Sequence, residues 1–341
     1  MFRVAIFNHG AELTDTYLAQ MAALGADCID FGRDTDMPGV AMQGVPDLEE
    51  VKALRKRLRS FGLDINRVTL PNLTEKFIAG GEGAEEELER TCAALRVYGE
   101  AKLPLARQRV AGDVFPRMTT RYLSTHRGGY RSRGETLIVE GDEGEEATGL
   151  DIIAGEDQAR RLIAGRMPSR AALNHWWERF CYAFERMVPI AEEYGIRLAV
   201  HPSDTPNVDT PLGSLGFHRV IDAFPSPMVG YVYCIGTRAE AGGSSLVLDE
   251  INNYGRKGKI FMVHMRNVRG SLATAGAYEE TLLDDGDLNM FKILLELKKV
   301  GFSGCINPDH IPAIPGDTAT KTAGWAYSIG YLKALFAAVV A

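Results

Sequence analysis

The chain has 341 residues, 45% of them hydrophobic and 24% charged, with a formal net charge of −7. Such a composition supplies a sizeable core and excludes a disordered chain. Its acidic balance gives no support to a nucleic-acid or membrane-surface binder, since either favours a concentrated basic face. The five cysteines (Cys28, Cys92, Cys181, Cys234 and Cys305) are odd in number, widely spaced and without a CxxC pair. No disulfide framework is expected from them, and a reducing cytoplasm is.

The apolar run at the N-terminus breaks at Asn8-His9-Gly10, too early for a signal-peptide core. No stretch approaches the roughly 18 to 20 apolar residues of a membrane helix. From there, short β-type runs alternate with amphipathic helical stretches, the pattern of βα units on a parallel sheet. Arg3–Phe7 and Cys28–Phe31 read as the first two strands. Asp47 with Glu50 resembles a capping box that opens a helix over Leu48–Ser60, and Phe61-Gly62 closes it. Ile65–Leu70 is the third strand and Ala84–Tyr98 a helix. Leu105–Val110 is a weak fourth strand, interrupted by Arg107, Gln108 and Arg109. A polar insertion over residues 111–168 follows, read as a hairpin or lid over the barrel mouth. Next come a helix at Ala171–Tyr194 and strands at Arg197–Pro202, Gly230–Cys234 and Ile260–Met265. Asp287 is placed to cap a helix over Leu288–Val300, which ends at Gly301. Cys305–Asp309 is the last strand, and Thr322–Val340 a helix suited to the outer wall.

Eight such alternations predict one α/β domain over residues 1–341, a (β/α)8 TIM barrel with a long insertion after strand 4. An open doubly wound sheet is the alternative. Its GxGxxG signature after the first strand is absent.

The last four strands end on His201, Cys234, His264 and Asp309. C-terminal strand ends of such a barrel converge on its active face, so these side chains would meet at one place. Taken singly, each has an ordinary reading: a cysteine in an apolar strand as core, a histidine as a core or surface residue, Asp309 as a turn residue. Together they make a first shell for one divalent metal ion. The donor set favours Mn, Fe, Co, Ni or Zn over Mg, and softness alone points to Zn.

Several stretches resemble the mannonate dehydratases, metal-dependent barrel enzymes of the xylose isomerase-like superfamily. They are HPSDTP (201–206), VYCIGT (232–237), VHMRNV (263–268), LDDGDLNM (283–290), NPDH (307–310) and AYSIGYLKAL (326–335). The resemblance covers roughly residues 190–335, while the N-terminal half shares only the strand–helix rhythm. It implies His201, Cys234, His264 and Asp309 as metal ligands, His310 as the catalytic histidine, and a tyrosine as its proton-transfer partner. Tyr327 is the first choice and Tyr331 the alternative, because the spacing of Tyr327 to Gly330 is one residue short of the family pattern. Arg266 and Asn267 resemble substrate-contacting residues. The chain departs from the family at Tyr278-Glu279-Glu280, where a histidine is missing, at Ser203 within the His-Pro-Asp-Asp run, and after Asp309-His310, where a second histidine is replaced. The N-terminal half also lacks an expected Arg-Asp pattern.

The implied reaction is metal-dependent dehydration of a sugar acid, D-mannonate, to 2-keto-3-deoxy-D-gluconate. Mn2+ is the first choice of cofactor, with Co2+, Zn2+ or Ni2+ as alternatives. A lyase of this kind would take a small sugar acid as substrate, with no nucleic-acid or membrane partner, and as a homo-oligomer by analogy. Competing readings are a sugar or sugar-phosphate isomerase or epimerase, a non-catalytic sugar-acid binder, and a metal-dependent hydrolase. The last is disfavoured because no HxH follows the first strand. His9 and His126 are weaker candidates for touching substrate. Arg117, Arg121, Arg127, Arg131 and Arg133 either bind an anion or balance the acidic run 140–146. His175 and His218 read as structural.

Overall fold

The computed structural model describes residues 2–8, 13–111, 119–137, 169–202 and 214–340, the side chains of 214–216 excepted. His9, Arg117, Ser203 and the acidic run 140–146 lie outside the described residues. The strands are β1 (Arg3–Asn8), β2 (Cys28–Phe31), β3 (Asp64–Thr69), β4 (Leu105–Arg107), β5 (Thr119–Thr125), β6 (Arg131–Leu137), β7 (Arg197–Val200), β8 (Val229–Cys234), β9 (Ile260–His264), β10 (Asn267–Ser271), β11 (Ala277–Thr281) and β12 (Cys305–Asn307).

Eight of these close into a parallel barrel in the order β1-β12-β9-β8-β7-β4-β3-β2, the architecture of a TIM barrel. Every expected barrel strand is present. The weak fourth one shortens to Leu105–Arg107, with backbone bonds running on from Gln108 to Ala199 and from Leu73 to Arg109. Successive inward positions fill the barrel in layers. Ala5, Cys28 and Cys305 form one buried cluster, and Leu105, Ala199, Val232 and Met262 pack in another together with Phe261. All five cysteines are free thiols.

The helices follow the sequence closely. Asp47 accepts a hydrogen bond from the Glu50 amide at 2.9 Å and starts the helix Leu48–Ser60. One expectation is corrected: the helix after β11 is Met290–Lys299, and its cap is Asn289, which accepts from the Lys292 amide at 2.9 Å. Asp287 instead accepts from the Gly270 amide at 2.8 Å and pins the preceding loop to β10. A second correction concerns Thr322–Val340, which at 19 residues is long and apolar enough by length and composition to cross a membrane. In this fold it lies against the barrel, with Trp325, Ile329, Leu332, Phe336 and Val339 buried. Its small residues lower its polarity, and that brings a wall-packing helix into the same hydropathy range.

A second, antiparallel sheet runs β10-β11-β6-β5. Its β5–β6 hairpin is the described part of the insertion, and Thr136 lies opposite Ala277 on β11. Arg131 donates its amide to the Ala313 carbonyl at 2.9 Å and accepts one back at 2.8 Å, which ties the hairpin to the loop after β12. Arg127, at the hairpin turn, meets the Asp284 carboxylate at 2.6 Å. The sheet is thus fastened beside the C-terminal ends of β9 and β12.

Candidate metal centre

Register aligns the donors. Cys234 on β8 lies opposite His264 on β9, and His264 lies opposite Asn307 on β12. Because side chains alternate along a strand, Asp309 leaves β12 on the same face as Asn307, and His201 follows Ala199 on β7 likewise. The donor atoms of His201, Cys234 and His264 all lie within 4.8 Å of one another. Of the four side chains expected to meet, the structure brings these three together. Asp309 stands beside them, with its Oδ2 at 3.3 Å from His264 Nδ1.

The surroundings set the state of each donor. His201 Nδ1 is 2.8 Å from the Pro202 carbonyl, which requires a proton on Nδ1 and leaves a lone pair on Nε2. Asp309 Oδ2 faces His264 Nδ1 at 3.3 Å, and neither buried ring nitrogen of His264 has a hydrogen-bond partner among the described residues. Burial lowers the pKa of both imidazoles, that of His201 strongly, while Asp309 acts to raise both. Burial pushes the Cys234 thiol up to about 11, and Arg266 pulls it the other way. Cys234 also caps the helix Ile235–Arg256, and its Sγ accepts from Thr237 Oγ1 at 3.1 Å. Burial also acts to raise Asp309, but His310, His264 and Arg266 outweigh it and hold the carboxyl well below its usual range. An orphaned Nε2, a second Nε2 and a thiol that a cation would deprotonate fit a borderline divalent ion.

His310 follows Asp309 with φ +53°, a left-handed conformation uncommon outside glycine. Its Nδ1 is 2.6 Å from Glu280 Oε1, and its Nε2 is 3.6 Å from Asp309 Oδ2. Glu280, on β11, also meets Arg133 of the hairpin at 2.9 Å and Arg266 at 3.0 Å. The residue that stands out in the sequence here is the missing histidine at 279, yet the organising group is its neighbour Glu280. Burial acts to raise Glu280, but Arg266 and His310 outweigh it and the carboxyl is lowered from 4.5. A depressed folded pKa gives stability that is present above the unfolded value and lost as pH falls through the folded one. Wild type is therefore expected to exceed Glu280→Gln in urea midpoint at neutral pH. The gap should close only below the ordinary carboxylate range, and a gap that persists in acid would show that the effect is not ionic.

Arg266 and Asn267, expected to touch substrate, are both buried and engaged in holding the fold. Arg266 pairs with Glu240 and Glu280, donates to Thr237 Oγ1 at 2.9 Å, and lies 3.7 Å from Asp309. Gly236 makes this possible, because a Cβ there would lie 2.3 Å from Arg266 Cγ. Asn267 donates to the Leu283 and Leu288 carbonyls at 2.8 and 3.1 Å and accepts from the amides of Val268 and Leu288, each at 3.0 Å. Gly286 lets the loop approach, since a Cβ there would sit 2.3 Å from Asn267 Oδ1. Asn267→Leu is expected to destabilise the fold by about 1–3 kcal/mol in chemical denaturation, because it leaves buried carbonyls and amides unpaired.

His126 sits within the hairpin of the second sheet. Its ring lies inside the hairpin, 2.9 Å from both Ser124 Oγ and Ser132 Oγ, and stacks on Tyr130. His175 meets the Ile78 carbonyl at 2.7 Å and His218 faces Asp222 at 3.3 Å, each within the scaffold. Tyr327 donates to Asp284, the carboxylate that also takes Arg127, and its ring stacks with Tyr331 at 6.1 Å. Burial and that bond to Asp284 push the Tyr327 hydroxyl above its ordinary value, and burial raises Tyr331 too.

The profile of the family described as D-mannonate dehydratase (UxuA) matches residues 169–341. Mannonate dehydratase 2 of Halalkalibacterium halodurans is 27% identical over 173 residues, which cover 48% of this chain and 49% of that protein. The mannonate dehydratase of Geobacillus thermodenitrificans is 34% identical over 145 residues, 40% of this chain and 38% of that one. The chain thus spans about half or less of the length of these curated relatives. Among solved structures, mannonate dehydratase from Streptococcus suis superposes with a TM-score of 0.75 at 22% identity, covering 99% of this chain and 93% of that one. A xylose isomerase domain protein from Planctomyces limnophilus superposes at 0.59 and 12% identity, covering 99% and 98%. Both likenesses are of fold. The profile match runs across just over half of the chain and through every strand that brings a ligand-type side chain to the mouth, and by it the chain belongs to the D-mannonate dehydratase (UxuA) family.

Proposed function

We propose that the chain is a hydro-lyase that dehydrates a sugar acid, D-mannonate, to 2-keto-3-deoxy-D-gluconate and water. The observation that carries this reading is the convergence of His201, Cys234 and His264 at the mouth of the barrel, within the segment that matches the family. Asp309 is the candidate fourth ligand. When bound, a divalent ion (Mn2+ on this reading, with Co2+, Zn2+ and Ni2+ as alternatives) supplies Lewis-acid stabilisation of the charge that develops as the C2 proton leaves.

The remaining work falls to side chains. Glu280 holds His310 by Nδ1, so Nε2 is the atom that exchanges a proton with substrate. His310 is suited to take the C2 proton. Tyr327 keeps its proton at neutral pH and is suited to give one to the departing C3 hydroxyl, with Tyr331 as the alternative. The hairpin, anchored through Arg133 to Glu280, serves as a wall of this site. Free thiols suit a reducing cytoplasm, and a homo-oligomer is the expected assembly.

Glu279, standing where the resemblance expects histidine, favours a second reading, an isomerase or epimerase that uses the same proton abstraction without loss of a hydroxyl. One assay separates the two. The protein is stripped of metal, reloaded with Mn2+ and given D-mannonate, with Cys234→Ser as control. Metal-dependent formation of a 2-keto-3-deoxy acid that collapses in the variant is expected. Metal bound stoichiometrically without that product would overturn the dehydratase reading in favour of the isomerase.

A further inference from the structure

Two arginines point into the barrel beside the donor group, and the chemistry above does not use them. Arg67 on β3 lies opposite Asp30 on β2, where a register shift between Ile29 and Asp30 brings Asn66 inward too. Thr69, two residues on, lies opposite Arg107 on β4, and Arg107 lies opposite Ala199 on β7, two residues before His201. By strand alternation, Arg67, Arg107 and His201 share the interior face.

Arg67 is fully buried. Its Nη1 donates to Thr69 Oγ1 at 3.3 Å, while Nε and Nη2 have no partner among the described residues. Arg107 Nε is buried and without a partner in the same sense. Asp30, the nearest interior carboxylate along the sheet, is already taken: Oδ1 accepts from Asn66 at 2.7 Å and Oδ2 from Asn307 at 2.6 Å. The Arg67 guanidinium sits 5.2 Å over the Phe7 ring, and the same ring meets His264 edge-on at 5.2 Å. One aromatic side chain therefore separates this partly satisfied guanidinium from a metal-ligand candidate. Buried cations without carboxylate partners are costly unless something anionic completes them.

We propose that Arg67 and Arg107 form the anion subsite of this barrel and bind the carboxylate of the substrate beside His201 and His264. Guanidinium forks match carboxylate geometry, and burial weakens the screening of their attraction for it. Burial and then Arg67 and Arg109 lower Arg107 to about 9, with Asp309 and Cys234 acting the other way, so burial and the neighbouring cations dominate at this position. This inference rests on the sugar-acid reading and names the residues that read the acid.

The test is calorimetric titration of the Mn2+-loaded protein with 3-deoxy-D-mannonate, which has no hydroxyl to lose, with its neutral amide, and with D-mannitol 1-phosphate. Wild type is expected to prefer the acid over the amide by roughly tenfold or more. Arg67→Gln and Arg107→Gln should each erase that preference, leave the affinity for the amide nearly unchanged and keep stoichiometric Mn2+. Arg67→Lys should restore part of it. If the buried Arg67→Gln variant fails to fold, the partly buried Arg107 carries the comparison. A preference for the acid untouched by either substitution overturns the inference and leaves the dehydratase reading standing. Tighter, arginine-dependent binding of the phosphate overturns the carboxylate assignment. No binding of acid or amide to wild type overturns the sugar-acid reading and this inference with it.

Discussion

His264→Ala is expected to abolish stoichiometric retention of a divalent ion and to cut turnover of D-mannonate by roughly a thousandfold or more. Lewis-acid stabilisation is worth several kcal/mol, and each ~1.4 kcal/mol is tenfold in rate. His264 occupies the middle of the site: its ring is 5.2 Å from that of His201, Cys234 is opposite it on β8, and Asp309 is against its Nδ1. Removing it deletes a ligand and leaves the Asp309 carboxylate without its nearest imidazole. Metal content by elemental analysis and product formation should fall together. A variant that keeps one equivalent of tightly held metal and near-normal turnover would remove these strand ends from the chemistry.

His310→Ala is expected to retain metal and still lose about 10²–10⁴ in kcat, the usual range for a lost general acid or base. The backbone offers an internal control. At φ +53° an alanine is strained and a glycine is not, so His310→Gly should melt higher than His310→Ala while being equally inactive. Steady-state kinetics and thermal melts on the two variants separate catalysis from folding. Turnover within a few-fold of wild type in either variant would sink the catalytic role.

Much of this was legible because short β-type runs alternate with amphipathic helical stretches along the chain. Alternation located all eight barrel strands, and the donors were visible because a strand end in such a barrel has only one place to point. The second sheet was not read as a sheet. β10 and β11 carry Arg269, Glu279 and Glu280, and their pairing with a polar hairpin comes from tertiary contact. Arg266 and Asn267 closely follow the candidate ligand His264, which in sequence resembles a substrate-binding position. Only the folded chain shows Glu240, Leu283 and Leu288 closing around them. Arg107 was taken as weakening a strand, because sequence does not say whether a charged residue in a short strand faces water or the barrel axis. The Asp287 cap failed for a related reason: Asn289 stands two residues nearer the helix, and Asp287 has a partner across the loop.

The seam of the barrel joins Arg3 to Cys305 and Val4 to Ile306. Each pair is 302 residues apart in sequence (305 − 3 and 306 − 4), so their contact is among the slowest to form by diffusion. Until β12 is made, β1 and β9 each present an unpaired edge, and such edges recruit other chains. A ribosome-bound intermediate of this protein is therefore open and prone to associate over most of its synthesis, and elongation speed and chaperone supply would govern the yield of closed barrel.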